Sequence, residues 1–219
     1  MPSSSFNHIP LVCHLVCGLG PQSILDVGVG FGKWGHLFRE LTDVAAAGED
    51  PPRYRRENWR YRIDGIEAFE PYLTDMHRFL YNNIYVGDMV DVLRTLGKYD
   101  VIFMGDVIEH IELDRGKAFL REALEHANKA VIVTTPAYEL VQEATCGNEY
   151  ERHRSLWTSA DFREFPRCWM KVVQSKIRVA MLLKEGVPMP PRPSRLKSAV
   201  RAMLIRLLGY RRYKRLGLP

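Results

Sequence analysis

Ser23-Ile24-Leu25-Asp26-Val27-Gly28-Val29-Gly30-Phe31-Gly32-Lys33-Trp34-Gly35 runs from an apolar, strand-like stretch into three alternating glycines and then into residues of helical pattern. Glycine is what such a turn requires. Without Cβ it permits positive φ and lets a ligand lie against bare backbone, while the following helix directs its first N–H groups at whatever sits there. In open α/β sheets that place, beyond the carboxyl end of the first strand where strand order reverses, is where ligands bind.

Outward from this stretch, short apolar runs alternate with segments of helical period, the pattern of βαβ units around a parallel sheet. Strands are expected at 23–27, 62–67, 83–86, 99–104 and 130–135, with a first helix at 33–41 and another at 159–165. Beyond Asp161 two β-rich runs, 168–173 and 176–183, are joined only by Gln174 and Ser175. That leaves no room for a crossover helix, so the pair should form an antiparallel hairpin at one edge. The fold class is therefore α/β, a Rossmann-like, mostly parallel sheet of seven strands with an antiparallel edge hairpin and helices on both faces. Residues 42–61 exceed an ordinary connection and carry Pro51, Pro52 and the basic-aromatic run Arg53, Tyr54, Arg55, Arg56, Trp59, Arg60. They read as a solvated insertion, with a lid or binding loop as the alternative.

Composition narrows the class further. With 219 residues, 46% hydrophobic and 26% charged, the chain resembles ordinary globular domains, which excludes disorder, collagen and coiled coil. No run reaches the roughly 18–20 apolar residues of a membrane span. The N-terminus lacks a basic leader, and its apolar stretch at 9–17 carries Pro10 and His14, so a cytoplasmic protein is expected. Four cysteines in a chain of this size point to reduced thiols, and the close pair Cys13 and Cys17 lacks the partners of a zinc set. The net charge of +5 hides an asymmetry: residues 187–219 hold nine Lys and Arg and no acid, leaving residues 1–186 at net −4. The body, 1–186, gives no reason to expect nucleic acid. The tail begins with a Pro-rich linker, and from Ser194 a basic amphipathic helix is expected, with Leu196, Val200, Met203, Leu204 and Leu207 on one face. Peripheral membrane contact is the hypothesis for it, with a nucleic-acid arm or a helix packed on its own domain as alternatives.

Details of the glycine loop choose among ligands. Gly30 to Gly35 fits the dinucleotide fingerprint, but the in-frame pattern begins at Gly28, and Asp26 sets a carboxylate just before it that would repel a pyrophosphate. The same carboxylate suits the ammonium of an amino-acid-like ligand. A Walker loop fails because Trp34 stands where Ser or Thr must bind magnesium.

With Asp26-x-Gly28-x-Gly30-x-Gly32 the sequence resembles the class I S-adenosylmethionine-dependent methyltransferases, over residues 23–183. The resemblance implies that Glu67, ending the second strand in Gly65-Ile66-Glu67, binds the ribose hydroxyls. It implies that Asp88 and Met89, in Gly87-Asp88-Met89, hold the adenine. Asp26, Gly28, Gly30 and Gly32 would form the cofactor loop, and Asp106, in Gly105-Asp106-Val107-Ile108-Glu109-His110, would meet the cofactor's amino-acid end. Glu67 follows Gly32 by 35 positions, more than the usual spacing of about 20, because of the insertion, and Glu70 is a nearby competitor.

The reaction so implied is in-line transfer of a methyl group from S-adenosyl-L-methionine to a small-molecule or lipid- or sugar-linked acceptor. Where the acceptor is a hydroxyl, His110, with Asp106, is the catalytic candidate, since imidazole titrates near neutrality; the alternative is a histidine that orders the loop. No resident metal is expected, although Asp106, Glu109 and His110, with His153 as a further ligand, can form a facial set of the kind some relatives use. Residues 148–157, rich in donors, acceptors and aromatics, are the expected acceptor wall, or else a polar loop anchored by Trp157. Two other classes stay open: a non-catalytic scaffold with a cofactor fold, and an oxidoreductase using NAD(P).

Overall fold

The computed structural model describes residues 5–145 and 147–191. The chain divides into two units, Met1–Pro188 and Met189–Pro219; the helix expected from Ser194 and the basic tail lie outside the described residues.

The first unit opens with α1 (Ile9–Leu19), which carries Pro10 in its first turn and stops at Gly20 in the left-handed conformation. There follow β1 (Ser23–Val27) and α2 (Lys33–Arg39), which continues through a π turn, Glu40–Val44, into the single turn α3 (Ala45–Ala47). The remaining elements are β2 (Arg62–Glu67), α4 (Asp75–Leu80), β3 (Ile84–Val86), α5 (Met89–Thr95), β4 (Tyr99–Gly105), α6 (Leu113–His126), β5 (Ala127–Pro136), α7 (Ser159–Arg163), β6 (Cys168–Val173) and β7 (Ile177–Leu183). The seven strands form one sheet in the order β3-β2-β1-β4-β5-β7-β6. The first five are parallel, and β7 pairs antiparallel with both β5 and β6.

Every expected strand is present. β5 begins three residues earlier than its apolar run because Ala127 both ends α6 and opens the strand, leaving no connecting loop. The hairpin turns on Gln174 and Ser175, both at positive φ, which matches the twist of paired strands. β7 lies between β5 and β6, and all seven of its residues are buried, so apart from Arg178 it reads as an apolar run and not as an alternation.

The core has two layers, one on each face of the sheet. Ile24, Phe103 and Ile132 pack with Val12 and Val16 of α1, Trp34 and Phe38 of α2, and Leu80 of α4. Leu25, Val27, Ile102 and Met104 pack on the other face with Leu93 of α5, Phe119 and Leu120 of α6, and Phe162 of α7. Among the described residues no helix is long and apolar enough to cross a membrane, and Cys13, Cys17 and Cys168 are free thiols.

Residues 42–61 make two short 3-10 turns, Pro51–Tyr54 and Arg56–Asn58, and are largely exposed. Arg39, at the end of α2, ties them down. Its buried guanidinium pairs with Asp43 at 2.5 Å, donates to the carbonyls of Leu80 (2.9 Å) and Tyr61 (2.8 Å) and to Asn82 (2.8 Å), and lies 4.4 Å from the Trp59 ring centroid. Asp43 in turn accepts from Arg60 N at 2.7 Å. Removing one partner of such a buried pair leaves the other charge uncompensated. Arg39→Met should therefore lower unfolding free energy by about 3–5 kcal/mol in urea titration; a loss under about 1 kcal/mol would contradict the hub.

Candidate active site

Strand order reverses at β1, where β2 and β4 leave in opposite directions, and a cavity of about 390 Å³ opens there above the carboxyl ends of the strands. That volume suits a nucleoside-sized ligand. Of the residues expected at the site, Gly28, Gly30, Glu67, Asp88, Met89, Asp106 and His110 line it together. Asp26 and Gly32 do not.

Gly28, Gly30 and Gly32 all have positive φ. At Gly28 (φ +76) a Cβ would collide with the Val107 side chain, so the loop after β1 and the loop after β4 touch only because this residue has none. The loop is held from both sides. Glu67 Oε2 accepts Gly30 N–H at 3.0 Å, while Oε1 accepts Phe69 N–H at 2.9 Å. Thr74 N–H donates to His77 Nδ1 at 3.0 Å, so the proton of this buried ring sits on Nε2, which donates to Gly30 O at 2.9 Å. Burial raises the Glu67 pKa against these N–H groups, which favour its anion. Glu70 is exposed and lies outside the cavity lining.

Asp26 is fully buried beneath the loop. Its Oδ2 accepts the Tyr81 hydroxyl at 2.5 Å, and that hydroxyl accepts Gly35 N–H at 3.1 Å. Desolvation lifts the Asp26 pKa from 3.8 to about 7, with the Tyr81 hydrogen bond opposing and the Glu67 charge adding.

Asp88 caps α5 through Val90 N–H (2.9 Å) and pairs with Arg115 at 2.7 Å, and Met89 is buried beside it. Asp106 closes β4 in the left-handed conformation (φ +56). The Thr134 hydroxyl donates to its Oδ1 at 2.8 Å, and its own N–H reaches Thr134 O at 3.0 Å. Burial raises the Asp106 pKa, opposed by the Thr134 hydrogen bond and the Lys33 charge.

At the far end Glu109, His110 and His153 converge, with one ligand atom of each within 4.8 Å of the others. Asp106 is not one of this group. His110 Nδ1 lies 3.3 Å from Arg152 O and His153 Nδ1 2.6 Å from Leu140 O. A carbonyl can only accept, so both Nδ1 atoms carry a proton, and in a neutral ring so held the lone pair is on Nε2. Burial lowers the His110 pKa. Burial raises that of Glu109, the Asp106 charge adds to this, and Glu109 Oε2 has no hydrogen-bond partner among the described residues.

From residues 148–157, Asn148, Tyr150, Glu151 and His153 line the cavity. The segment is anchored by Trp157, whose indole donates to Ile108 O at 3.2 Å, and by Arg154 and Ser155, whose N–H groups both reach Glu109 O. Residues 42–61 contribute nothing to the lining, whereas Ser5 and Asn7 do.

Solved structures share this architecture. The methyltransferase domain of bacterial CtHen1-CN superposes with a TM-score of 0.54 at 15% identity, over 81% of this chain and 98% of that one. Magnesium protoporphyrin IX methyltransferase from Synechocystis PCC 6803, with bound S-adenosylhomocysteine, gives 0.51 at 16%, over 81% and 82%. The DhpI complex with S-adenosylhomocysteine gives 0.51 at 14%, over 85% and 89%. No family model matches the sequence, and no curated protein does. The chain has the class I S-adenosylmethionine-dependent methyltransferase fold.

Asp26 carries a pH signature. Unfolded, it ionises near 3.8; folded, near 7. Its contribution to stability is thus fully present below the unfolded value and is lost as pH rises through about 7. Relative to Asp26→Asn, the wild type should lose about 1–4 kcal/mol between pH 4.5 and 7.5. Parallel stability curves for the two proteins would refute the shift.

Proposed function

We propose that this chain is an S-adenosylmethionine-dependent methyltransferase acting on a small-molecule or lipid- or sugar-linked acceptor. The observation that carries the reading is the convergence of Gly28, Gly30, Glu67, Asp88, Met89 and Asp106 on one cavity at the strand-order reversal. Loop glycines bare the backbone, Glu67 offers a carboxylate to ribose hydroxyls, and Asp88 with Met89 offers an acceptor and an apolar face to the base. A scaffold has no need of these acids, and an oxidoreductase would need a pyrophosphate next to carboxylates.

S-adenosylmethionine, when bound, supplies an electrophilic methyl group on a sulfonium. The chain's own work is alignment and exclusion of water. Tyr138, Leu140, Tyr150 and Ile111 wall the acceptor end, and His110 stands there with Nε2 unprotonated, able to take a hydroxyl proton.

A second reading is favoured by the Glu109, His110 and His153 cluster: a divalent cation held by one carboxylate and two imidazoles. This donor set suits zinc, manganese or iron, and backbone carbonyls on Nδ1 are how ligating histidines are commonly oriented. Such a cation would activate an acceptor hydroxyl directly, and it would occupy the lone pair that His110 needs as a base.

Calorimetric titration with S-adenosylmethionine and S-adenosylhomocysteine should show binding, Glu67→Ala should weaken it by tenfold or more, and NAD(P)H should not bind. Preference for NAD(P)H would remove the methyltransferase reading. Once an acceptor is found, His110→Ala should lower kcat by about 10²-fold or more while leaving cofactor affinity unchanged. Direct titration of chelator-stripped protein with Zn²⁺ or Mn²⁺ separates the two readings: one site lost in His153→Ala supports the cation, and no binding supports His110 as base.

A further inference from the structure

An amino-acid tail carries both charges, and a site that recognises it needs one group for each. Five acids line the cavity: Glu67, Asp88, Asp106, Glu109 and Glu151. Among the described lining residues the Lys and Arg side chains are two, Lys33 and Lys176. Lys176 sits in the turn before β7, its carbonyl accepting from Ala137 N–H just after β5, at the acceptor end. Lys33 follows the glycine loop directly. Its ammonium lies 5.5 Å from the Trp34 ring centroid and donates to Ser5 O at 3.4 Å, so its stem is laid along the wall at the β1 and β4 ends.

Two carboxylates exert their charge on Lys33, Asp106 and Asp26. Tyr81 holds Oδ2 of Asp26 beneath the loop, and Asp26 is not part of the cavity lining. Asp106 lines the cavity, and Thr134 and the backbone of Ser5 hold it in place. One ammonium and one fixed carboxylate, each within reach of the other's charge, therefore line the cavity.

We propose that Lys33 binds the carboxylate of the cofactor's amino-acid end while Asp106 receives its ammonium, so that this pair selects ligands with an intact zwitterion. The assignment rests on the cofactor reading above and adds to it the residue that distinguishes a complete amino-acid tail from a bare amine. Burial depresses the Lys33 pKa, and an incoming carboxylate offsets that desolvation as Asp106 already does in part. A charge-assisted contact in a half-buried site is strong enough to be read in affinity.

The test compares S-adenosylhomocysteine with its decarboxylated analogue, which keeps the amine and lacks the carboxylate, by calorimetric titration of wild type, Lys33→Gln and Lys33→Arg. The wild type should prefer the intact compound by roughly tenfold or more. Lys33→Gln should lose that preference through weaker binding of the intact compound alone, and Lys33→Arg should keep most of it. Equal weakening of both compounds in Lys33→Gln would assign Lys33 a structural role and overturn the proposal, as would a wild type that binds both alike. If the wild type binds neither, the cofactor reading itself has failed, and the proposal falls with it.

Discussion

Tyr81 places one hydroxyl where three elements meet. The residue follows α4, its O–H donates to Asp26 on β1, and it accepts the N–H of Gly35 on α2. The approach is possible only because Gly35 lacks a side chain; a Cβ there would collide with the Tyr81 ring and hydroxyl. Above this clamp hangs the glycine loop, and both polar groups of Gly30 are held, the N–H by Glu67 and the carbonyl by His77. A loop fixed in this way loses little conformational freedom when a ligand arrives, so less of the binding free energy goes into ordering it. Glu67 thus does two things at once, shaping the loop and facing the cavity.

Much of this was legible in the sequence, for reasons that differ by residue. The strands could be found because two-sided burial demands continuous apolar runs, and a two-residue link between β6 and β7 left only a hairpin. Glu67 was legible despite its distance from the loop because it ends a strand, and strand ends are where a parallel sheet presents side chains. Asp26 could be recognised as special but not placed. Successive strand residues face opposite sides, so Asp26 shares with Ile24 the face covered by α2 and α4, and there Tyr81 meets it. His77, Tyr81, Ser5 and Asn7 gave no local signal, because their roles depend on contacts between distant parts of the chain. For the same reason the carboxylate that joins His110 and His153 is Glu109, without Asp106: adjacency in Asp106-Val107-Ile108-Glu109-His110 says nothing of which side chains turn the same way.

The geometry at the acceptor end is set by backbone more than by side chains. Two carbonyls, those of Arg152 and Leu140, decide which nitrogen of His110 and of His153 carries its proton. The segment that bears Arg152 is itself fastened to Glu109 O, and His153 N–H ties it at 2.9 Å to Gln142 O, two residues past Leu140, so orientation of the imidazoles and position of the carboxylate arise from one set of main-chain contacts. A change of side chain at Tyr150 can therefore alter the shape of the wall while these main-chain contacts stay in place.

The insertion at 42–61 has the opposite character. A parallel sheet has two poles, and the link between α2 and β2 must lie at the amino pole, since α2 leads away from the cavity and β2 sets out from there toward it. Arg39, which is not part of the cavity lining, gathers that link against Leu80, Asn82 and Trp59. The link also reaches the Tyr81 clamp from behind: Arg56 donates to Phe79 O at 2.9 Å and to Tyr81 O at 3.2 Å, and Arg39 holds Leu80 and Asn82 on either side of it. The amino pole is accordingly coupled to the loop through a single residue, and a new length of chain inserted there leaves the loop as it is only where it keeps Leu80, Tyr81 and Asn82 in place.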